Sequence, residues 1–288
     1  MKIIDGKKHF KLGLHIHTTV SDGRNTPEEV VREYRADGYD AVAFTDHWIY
    51  GEGGELLGFP IISGCEYNVG GGETIEGEMH ILALFAEKAP APPRDATREE
   101  IVDAICDAGG IAVLAHPAWS LNTPDDLERL PKIEATEIYN AVSDAHLSLR
   151  PYADYFIDLC ANRGMYPAIF AADDAHYYDG TDTRRGWIMV EAESPTRKEL
   201  MRAIRERRFY ASEGPDLYLK REGNKITVET SPASVIGVLT NRTITSGRTV
   251  RGEGLTHFEY EFKPGEKWVR VEVRDENGKR AWSNIVVI

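Results

Sequence analysis

The chain has 288 residues, of which 42% are hydrophobic and 28% are charged, so it can bury a substantial core and is too apolar to be intrinsically disordered. Its formal net charge of −13 argues against a stable nucleic-acid partner, because such a partner needs clustered Lys and Arg on one face. No segment is apolar over the length that spans a membrane, and the first residues lack the apolar run of a signal peptide.

The cysteines give an indication of the compartment. The chain has three, Cys65, Cys106 and Cys160, which are widely spaced and odd in number. This pattern is typical of reduced thiols rather than of a disulfide framework. We therefore expect a cytoplasmic protein.

Short apolar segments alternate with segments of helical period as far as about residue 210. This alternation is typical of a parallel α/β domain, and seven or eight strand-helix units predict a closed barrel. The predicted strands begin near Phe10, Ala41, Pro60, His80, Ile111, Ile133, Pro167 and Trp187.

The first helix is clearly delimited. Thr26 is its predicted N-cap, Pro27 its first residue and Glu29 the second half of a capping box, and Gly38 ends it. Amphipathic patterns predict further helices over residues 97–108, 150–163 and 196–208.

The sequence pattern changes near the turn-prone residues 212–215. From Asp216 onward apolar residues alternate with a period of two, and Asn277-Gly278 predicts a hairpin turn. We therefore predict two domains, a barrel over residues 1–213 and a small, antiparallel, β-sandwich-like domain over residues 214–288.

A pair of histidines follows the first barrel strand. His15 and His17 are two residues apart, so both imidazoles project from one face of the strand while Leu14 and Ile16 pack on the other. Asp22 follows in a turn that can return its carboxylate to the same place. Such a group can bind a metal ion.

Similar residues recur at the ends of the other predicted strands. A single histidine is more often a packing or surface residue, but a repeated pattern at the rim of a barrel is typical of an active site. The segments are Thr45-Asp46-His47, Gly64-Cys65-Glu66, His80, Ala115-His116-Pro117 and Asp173-Asp174-Ala175-His176.

The segment His15-Ile-His17-Thr-Thr-Val-Ser-Asp22-Gly resembles the first motif of the polymerase and histidinol phosphatase (PHP) family, and the other segments follow in that family's order over about residues 9–210. The resemblance implies a distorted (β/α)7 barrel that binds up to three divalent ions. It implies these ligand sets: His15, His17, Glu66 and Asp174 for the first ion, Glu66, His80 and His116 for the second, and Asp22, His47 and His176 for the third.

Imidazole and carboxylate ligands suit zinc, manganese or iron, and we expect two to three such ions. A shared carboxylate would hold two ions close together, and a hydroxide bridging them would be the nucleophile. We therefore predict an enzyme that hydrolyses a small phosphate ester, either a monoester or a diester. Its catalytic residues would be Glu66, Asp174 and His176.

The sequence departs from the family pattern in two places. Ala172-Asp173 stands where the family commonly has Gly-Ser, and strand parity points Asp173 away from the site, which favours a structural role. Only eighteen residues separate His47 from Glu66, which leaves little room for a helix and predicts a more open site on that side. The loop of residues 70–78 is acidic, so we do not expect it to bind phosphate.

Aromatic and basic residues near the ligands are candidates for substrate binding. Trp48, Tyr67 and Trp119 follow ligand residues closely and could stack on a ring of the substrate, although such aromatics also pack loops onto a barrel. Arg184 and Arg185 follow the last ligand segment, where a guanidinium could bind a phosphate.

Two other functions stay open. Amidohydrolase-like barrels also begin with His-x-His and hydrolyse C–N or ester bonds, but they commonly use a carboxylated lysine where this chain has Glu66. A metal-stabilised binding module without catalytic activity is the other alternative. The complete ligand set argues against it, since an inactive site tends to lose ligands. The sequence does not indicate an oligomeric state.

Overall fold

Two β-sheets organise the chain. The computed structural model describes residues 1–4, 6–70, 77–244 and 246–288, so most of the acidic loop of residues 70–78 lies outside the described residues. Within the described ranges, thirteen strands form one sheet and five form the other. The protein therefore has an α/β fold, as the sequence predicted.

The elements follow one another as strands separated by short helices. The strands are β1 Lys2–Ile4, β2 Lys7–Gly13, β3 Ala41–Ala43, β4 Gly54–Leu56, β5 Phe59–Ile62, β6 Gly64–Gly70, β7 Glu78–Leu84, β8 Ile111–Leu114, β9 Ala135–Asn140, β10 Ala168–Ala172, β11 Trp187–Glu191, β12 Phe209–Ser212, β13 Leu217–Glu222, β14 Lys225–Thr240, β15 Thr249–Glu261, β16 Trp268–Arg274, β17 Arg280–Ser283 and β18 Val286–Val287. The helices are α1 Pro27–Ala36, α2 Arg98–Asp107, α3 Pro117–Ser120, α4 Pro124–Arg129, α5 Asp154–Asn162 and α6 Arg197–Arg205, with a π-helix over Ser143–Ser148.

The predicted helices are present. Helix α1 has the predicted capping box, in which Thr26 and Glu29 satisfy each other's backbone N–H groups, and it buries Val30, Val31 and Tyr34. Helices α2, α5 and α6 lie within the other predicted ranges and are shorter at their ends. No helix in the described part of the chain is long and apolar enough to cross a membrane.

The prediction of a parallel α/β domain is wrong for several strands. In the larger sheet, β11 pairs antiparallel with both β2 and β12. In the five-stranded sheet, β8, β9 and β10 are parallel, whereas β6 pairs antiparallel with β7 and β7 antiparallel with β8. Strands β6 and β7 are separated by only seven residues, and so short a connection allows antiparallel pairing but not a parallel crossover. The segment between His47 and Glu66 forms β4 and β5 and contains no helix within the described residues, as expected.

The predicted closed barrel is not seen as a continuous set of ladders in the described residues. Instead, isolated bridges join the two sheets, Ile16 with Ala175 and His47 with Glu66. Backbone hydrogen bonds support them, from the Asp174 N–H to the His15 carbonyl at 2.9 Å and from the Trp48 N–H to the Glu66 carbonyl at 2.8 Å. The sheets therefore meet where the predicted ligands lie.

The strands after residue 216 extend the larger sheet. Their apolar residues form a cluster together with Met189 of β11 and Tyr210 of β12, and Asn277-Gly278 lies in the turn between β16 and β17, as predicted. However, β17 pairs antiparallel with β12, so the sheet is continuous across the predicted boundary at residue 213. A separate β domain over residues 214–288 stays a prediction.

A buried arginine attaches these strands to helix α5. The Arg270 side chain is fully buried, and its guanidinium bonds the Asp158 carboxylate at 2.6 and 3.1 Å. The Trp268 indole also bonds Asn162 of α5, and the Trp282 indole bonds Asp154. The larger sheet thus covers one face of α5 through charged and aromatic contacts.

We expect Asp158→Ala to lower the free energy of unfolding by about 3 kcal/mol, because it leaves a buried guanidinium without its two shortest hydrogen bonds. Urea denaturation followed by circular dichroism would measure this. Asp103→Ala is the matched control, since Asp103 pairs with Lys132 on the surface and such pairs contribute little. Equal effects of the two substitutions would contradict the assignment.

Candidate metal centre

All nine predicted metal ligands lie together, in three overlapping groups. Within each group, one potential ligand atom per residue lies within 4.8 Å of every other. The groups are His15, His17, Glu66 and Asp174, which we call cluster 1, Glu66, His80 and His116, which we call cluster 2, and His17, Asp22, His47 and His176, which we call cluster 3. His17 joins cluster 3 as well as cluster 1, which the sequence did not predict.

The clusters form because local structure sends each side chain to the same place. His15 and His17 alternate with the buried Leu14 and Ile16, as strand parity requires. The chain then turns sharply at Gly23, where a Cβ atom would lie 2.4 Å from the His17 carbonyl oxygen. Only glycine fits there, and the turn brings Asp22 back beside His17.

Asp46 fixes the loop that carries Asp22. Its carboxylate accepts hydrogen bonds from the N–H and hydroxyl of Thr18 and from the N–H and hydroxyl of Ser21, at 2.8 to 3.1 Å. Asp46 is therefore a positioning residue, while its neighbour His47 belongs to cluster 3.

Glu66 lies at the centre of the site and is fully buried. Its two carboxylate oxygens face different groups. Oε2 lies 3.2 Å from His15 Nε2, 2.9 Å from His17 Nε2 and 3.4 Å from His47 Nδ1. Oε1 lies 2.8 Å from His80 Nδ1 and 3.4 Å from His116 Nε2. This arrangement is the one a bridging carboxylate needs.

Several ligand atoms lie close to one another but do not form hydrogen bonds with one another. Glu66 Oε2, Asp174 Oδ1 and His47 Nδ1 are buried and accept or donate no hydrogen bond of acceptable geometry within the described residues, although nitrogen and oxygen atoms lie within 3.5 Å. Buried polar atoms without partners are costly. Atoms that converge on a common point rather than on each other fit a bound cation, so the residues present fit divalent metal ions.

The charges of the clusters are strongly coupled. Burial favours the neutral form of Glu66 and Asp174, but the neighbouring imidazoles outweigh it and hold the pKa of both carboxyls well below the usual range. Burial likewise opposes protonation of His15 and His17, yet the surrounding carboxylates raise the pKa of both imidazoles well above the usual value. Without metal, protons supply the positive charge that the carboxylates require.

Glu137 and Asn140 support the ligands and were not recognised in the sequence. Glu137 Oε1 lies 2.7 Å from His15 Nδ1, which directs the other ring nitrogen toward the clusters. The second oxygen of Glu137 accepts the His116 N–H, and Asn140 bonds both Glu137 and Asp174. An acid and an amide on the fully buried strand β9 are the signal that could have identified them.

The backbone at two ligands is held in an unusual conformation. His116 has φ of 27° and Asp174 has φ of 54°, a region that residues other than glycine rarely adopt. Past Asp174, the Asp182 carboxylate accepts the N–H groups of His176, Tyr177 and Tyr178. These bonds fix the loop that follows β10.

Asp173 points away from the clusters, as strand parity predicted. Its carboxylate accepts the N–H groups of Arg184, Arg185 and Gly186 and the Tyr34 hydroxyl, at 2.7 to 2.8 Å. Asp173 therefore holds the loop of residues 184–186 in place.

The three aromatic candidates for substrate binding differ in position. The Trp119 ring packs against the imidazoles of His80 and His116, with centroids 5.4 and 4.8 Å apart, so it lies beside cluster 2. The prediction for Tyr67 is wrong. Its side chain is 2% exposed and its hydroxyl bonds the Pro90 carbonyl, because residues on either side of Glu66 project from the opposite face of the strand.

The side chains of the other candidates make no hydrogen bond to the nine ligand side chains within the described ranges. The Trp48 indole bonds Asn68 and packs against Tyr67, an arrangement that pins its loop onto the sheet. Among the described residues, neither Arg184 nor Arg185 makes a side-chain hydrogen bond or ion pair with any of the nine ligands. Arg184 Nε is buried without a hydrogen-bond partner in that part of the chain.

Comparisons with known proteins match one family model and two relatives. Residues 13–91 match the model of the PHP domain, a range that contains six of the nine ligand residues. A phosphoribosyl 1,2-cyclic phosphate 1,2-diphosphodiesterase from Eggerthella lenta is 28% identical over 198 residues, which cover 62% of this chain and 69% of that protein. An uncharacterized protein from Methanocaldococcus jannaschii is 29% identical over 119 residues, or 38% of this chain and 68% of that protein.

One solved structure is similar along the whole chain. It is a two-domain protein from Bacteroides vulgatus described as containing a predicted PHP-like metal-dependent phosphoesterase. The match has a TM-score of 0.58 and 18% sequence identity, and it covers 100% of this chain and 96% of that one. At this identity the likeness establishes a common fold. Residues 13–91 therefore resemble the PHP domain, and the whole chain shares its fold with a protein that contains a PHP-like domain.

Proposed function

We propose that this protein is a metal-dependent phosphoesterase that hydrolyses a small phosphate ester. The observation that carries the proposal is the position of Glu66, whose two oxygens face two different groups of imidazoles in a fully buried site. Several divalent ions held around one carboxylate are a typical arrangement for phosphoryl hydrolysis. The diphosphodiesterase from Eggerthella lenta supports the same class of reaction.

Exposure indicates where a substrate would enter. Glu66, His15 and His17 are fully buried, whereas the side chains of Asp22 and His47 in cluster 3 are 53% and 24% exposed. A phosphoryl group would therefore approach from the side of cluster 3. Glu66 and Asp174 would bind metal at the buried end of the site, and His176 would bind metal near its opening.

Divalent ions, when bound, would activate water and neutralise the phosphoryl oxygens. The chain would position them through the ligands of the three clusters and orient those ligands through Glu137, Asn140 and Asp46. Cys65 gives no sign of acting as a nucleophile, since burial raises the pKa of its thiol to about 12 and the residue alternates with Glu66 on β6. Zinc, manganese and iron stay the candidate metals.

The alternatives have less support from the described residues. No lysine belongs to any of the three clusters, and Glu66 occupies the bridging position, which disfavours an amidohydrolase-like site. A binding module without activity would have no need of three complete clusters. The absence of a nucleic-acid partner stays a prediction, so a DNA oligonucleotide belongs in the substrate panel.

The protein purified without chelators should contain two to three divalent ions per chain, because the three clusters share Glu66 and His17. Elemental analysis would measure the content. At a free ion concentration of about 100 Kd, binding should stabilise the fold by roughly 2.7 kcal/mol per site, visible as a lower melting temperature after chelation. A protein that takes up no ion on reconstitution would refute the proposal.

Glu66→Gln should lower the metal content, because the neutral amide cannot bridge two cations. The rate of phosphate ester hydrolysis should fall by about a hundredfold or more. Glu134→Gln is the matched control, since Glu134 pairs with Arg205 outside the site. Circular dichroism would verify that both variants fold. Normal turnover in Glu66→Gln would show that Glu66 is not a bridging ligand.

Arg184→Ala and Arg185→Ala test the predicted phosphate contacts. If either guanidinium binds the phosphoryl group, its removal should lower kcat/KM for the best substrate by about 1.5 to 3 kcal/mol. The assay would use phosphomonoesters, phosphodiesters, a DNA oligonucleotide and amides with the metal-loaded protein. Unchanged kcat/KM in both variants would exclude these two residues from substrate binding.

A further inference from the structure

An arginine that the sequence did not single out lies at the exposed side of the site. Arg24 follows Asp22 of cluster 3 by two residues and is exposed. Its backbone N–H bonds the carbonyl of His176, another cluster 3 residue, at 2.9 Å. The backbone of Arg24 is therefore held beside two residues of cluster 3, Asp22 through the chain and His176 through a hydrogen bond.

The guanidinium of Arg24 rests on an aromatic ring. Its central carbon lies 4.8 Å from the centroid of the Tyr177 ring, and Tyr177 directly follows His176. The other neighbour of that ring is the His146 imidazole, stacked at 3.9 Å with an interplanar angle of 16°. Arg24 and His146 therefore both pack against the Tyr177 ring.

The remainder of the stack is held firmly. His146 belongs to the π-helix Ser143–Ser148, and its Nε2 lies 2.7 Å from the Thr181 hydroxyl and 3.2 Å from the Asp179 carboxylate. The Tyr177 backbone is bound by Asp182. The ring is thus a fixed platform, and a guanidinium held on it loses little further freedom when it binds a ligand.

The polar edge of this guanidinium is unused. Within the described residues, the Arg24 side chain makes no hydrogen bond or ion pair, and its contact is the face of Tyr177. This guanidinium lies over the Tyr177 ring and keeps its N–H groups available, and a guanidinium can bind a carboxylate or phosphate with two hydrogen bonds. In a protein of net charge −13, such a cation beside an anion-binding site indicates a ligand.

The position of the stack distinguishes it from the reacting centre. The Tyr177 ring centroid lies 6.5 Å from that of His176, and Arg24 lies on Tyr177 in the more exposed layer. We propose that Arg24 binds a second oxyanion of the substrate, a carboxylate or phosphate beyond the phosphoryl group that is hydrolysed. Tyr177 and His146 are its positioning residues. This inference rests on the proposed phosphoesterase function and narrows its substrate to esters with at least two anionic groups.

Binding of non-hydrolysable ligands tests the proposal independently of turnover. Calorimetry on the manganese-loaded protein would compare ω-phosphonocarboxylates of three to six carbons with alkyl phosphonates of the same lengths. Wild type should bind at least one phosphonocarboxylate about tenfold more tightly than its alkyl counterpart, because the carboxylate adds a charged hydrogen bond. Arg24→Ala should remove that difference and leave binding of alkyl phosphonates unchanged.

Variants around the stack separate positioning from general structure. Tyr177→Phe keeps the ring and should keep the preference, whereas Tyr177→Leu should weaken it without changing alkyl phosphonate binding. Arg32→Ala, on the outer face of α1, is the matched control and should behave as wild type. A phosphonocarboxylate preference that survives Arg24→Ala would overturn the proposal, as would equal weakening of both ligand series, which would place Arg24 on the reacting phosphoryl group.

The outcomes distinguish this inference from the function on which it rests. If wild type binds alkyl phosphonates but shows no preference for any phosphonocarboxylate, the second oxyanion site is refuted and the phosphoesterase proposal stands. If the metal-loaded protein binds neither series, the proposed function fails and this inference fails with it.

Discussion

The structure depends on one buried carboxylate and the five imidazoles around it. Glu66 is fully buried and close to His15, His17, His47, His80 and His116. Burying an ionised carboxylate is favourable only when positive charge compensates it. Protons on the imidazoles can supply that charge, and divalent ions can supply more of it with better geometry. The fold around Glu66 therefore places several potential metal ligands around one point.

The supporting residues surround the ligands and orient them through hydrogen bonds. Glu137, Asn140 and Asp46 bind N–H groups, hydroxyls and imidazole nitrogens that face away from the clusters, and Asp173 and Asp182 bind the loops that follow. Each of these carboxylates accepts several hydrogen bonds, so the ligand directions are fixed before any ion binds. This arrangement explains how a site with a 53% exposed ligand, Asp22, can keep its geometry.

The sequence predicted which side chains converge better than it predicted the fold around them. Strand parity identifies His15, His17 and Glu66, because alternation is a local property. The same parity excludes Tyr67 from the site, as it does Cys65, and the prediction for Tyr67 failed because it considered only that Tyr67 follows Glu66 closely and not which face of the strand it occupies. Glu137 and Asn140 could not be assigned locally, since the ligand residues that they contact lie more than 20 residues away along the chain. The family resemblance supplied the grouping of ligands, which no spacing rule provides.

Strand pairing was the least predictable feature. The apolar runs of β6, β7 and β8 are compatible with either orientation, and the short connection between β6 and β7 decides it. The continuity of the larger sheet across residue 213 also depends on the pairing of β12 with β17, which are separated by about 70 residues in the chain. Long-range pairing of this kind leaves no periodic signal in a single sequence.

The way the two sheets meet has a consequence for how fast the site can exchange ions. Bridges at Ile16 with Ala175 and at His47 with Glu66 join them, and each bridge lies beside or includes a ligand. Bound ions would therefore hold the two sheets together at the same place as these bridges. Release of an ion and local separation of the sheets become a single opening event. Ions bound by ligands as buried as His15 and Glu66 should then exchange slowly. The rate of exchange would be set by local opening of the protein rather than by the chemistry of the ion.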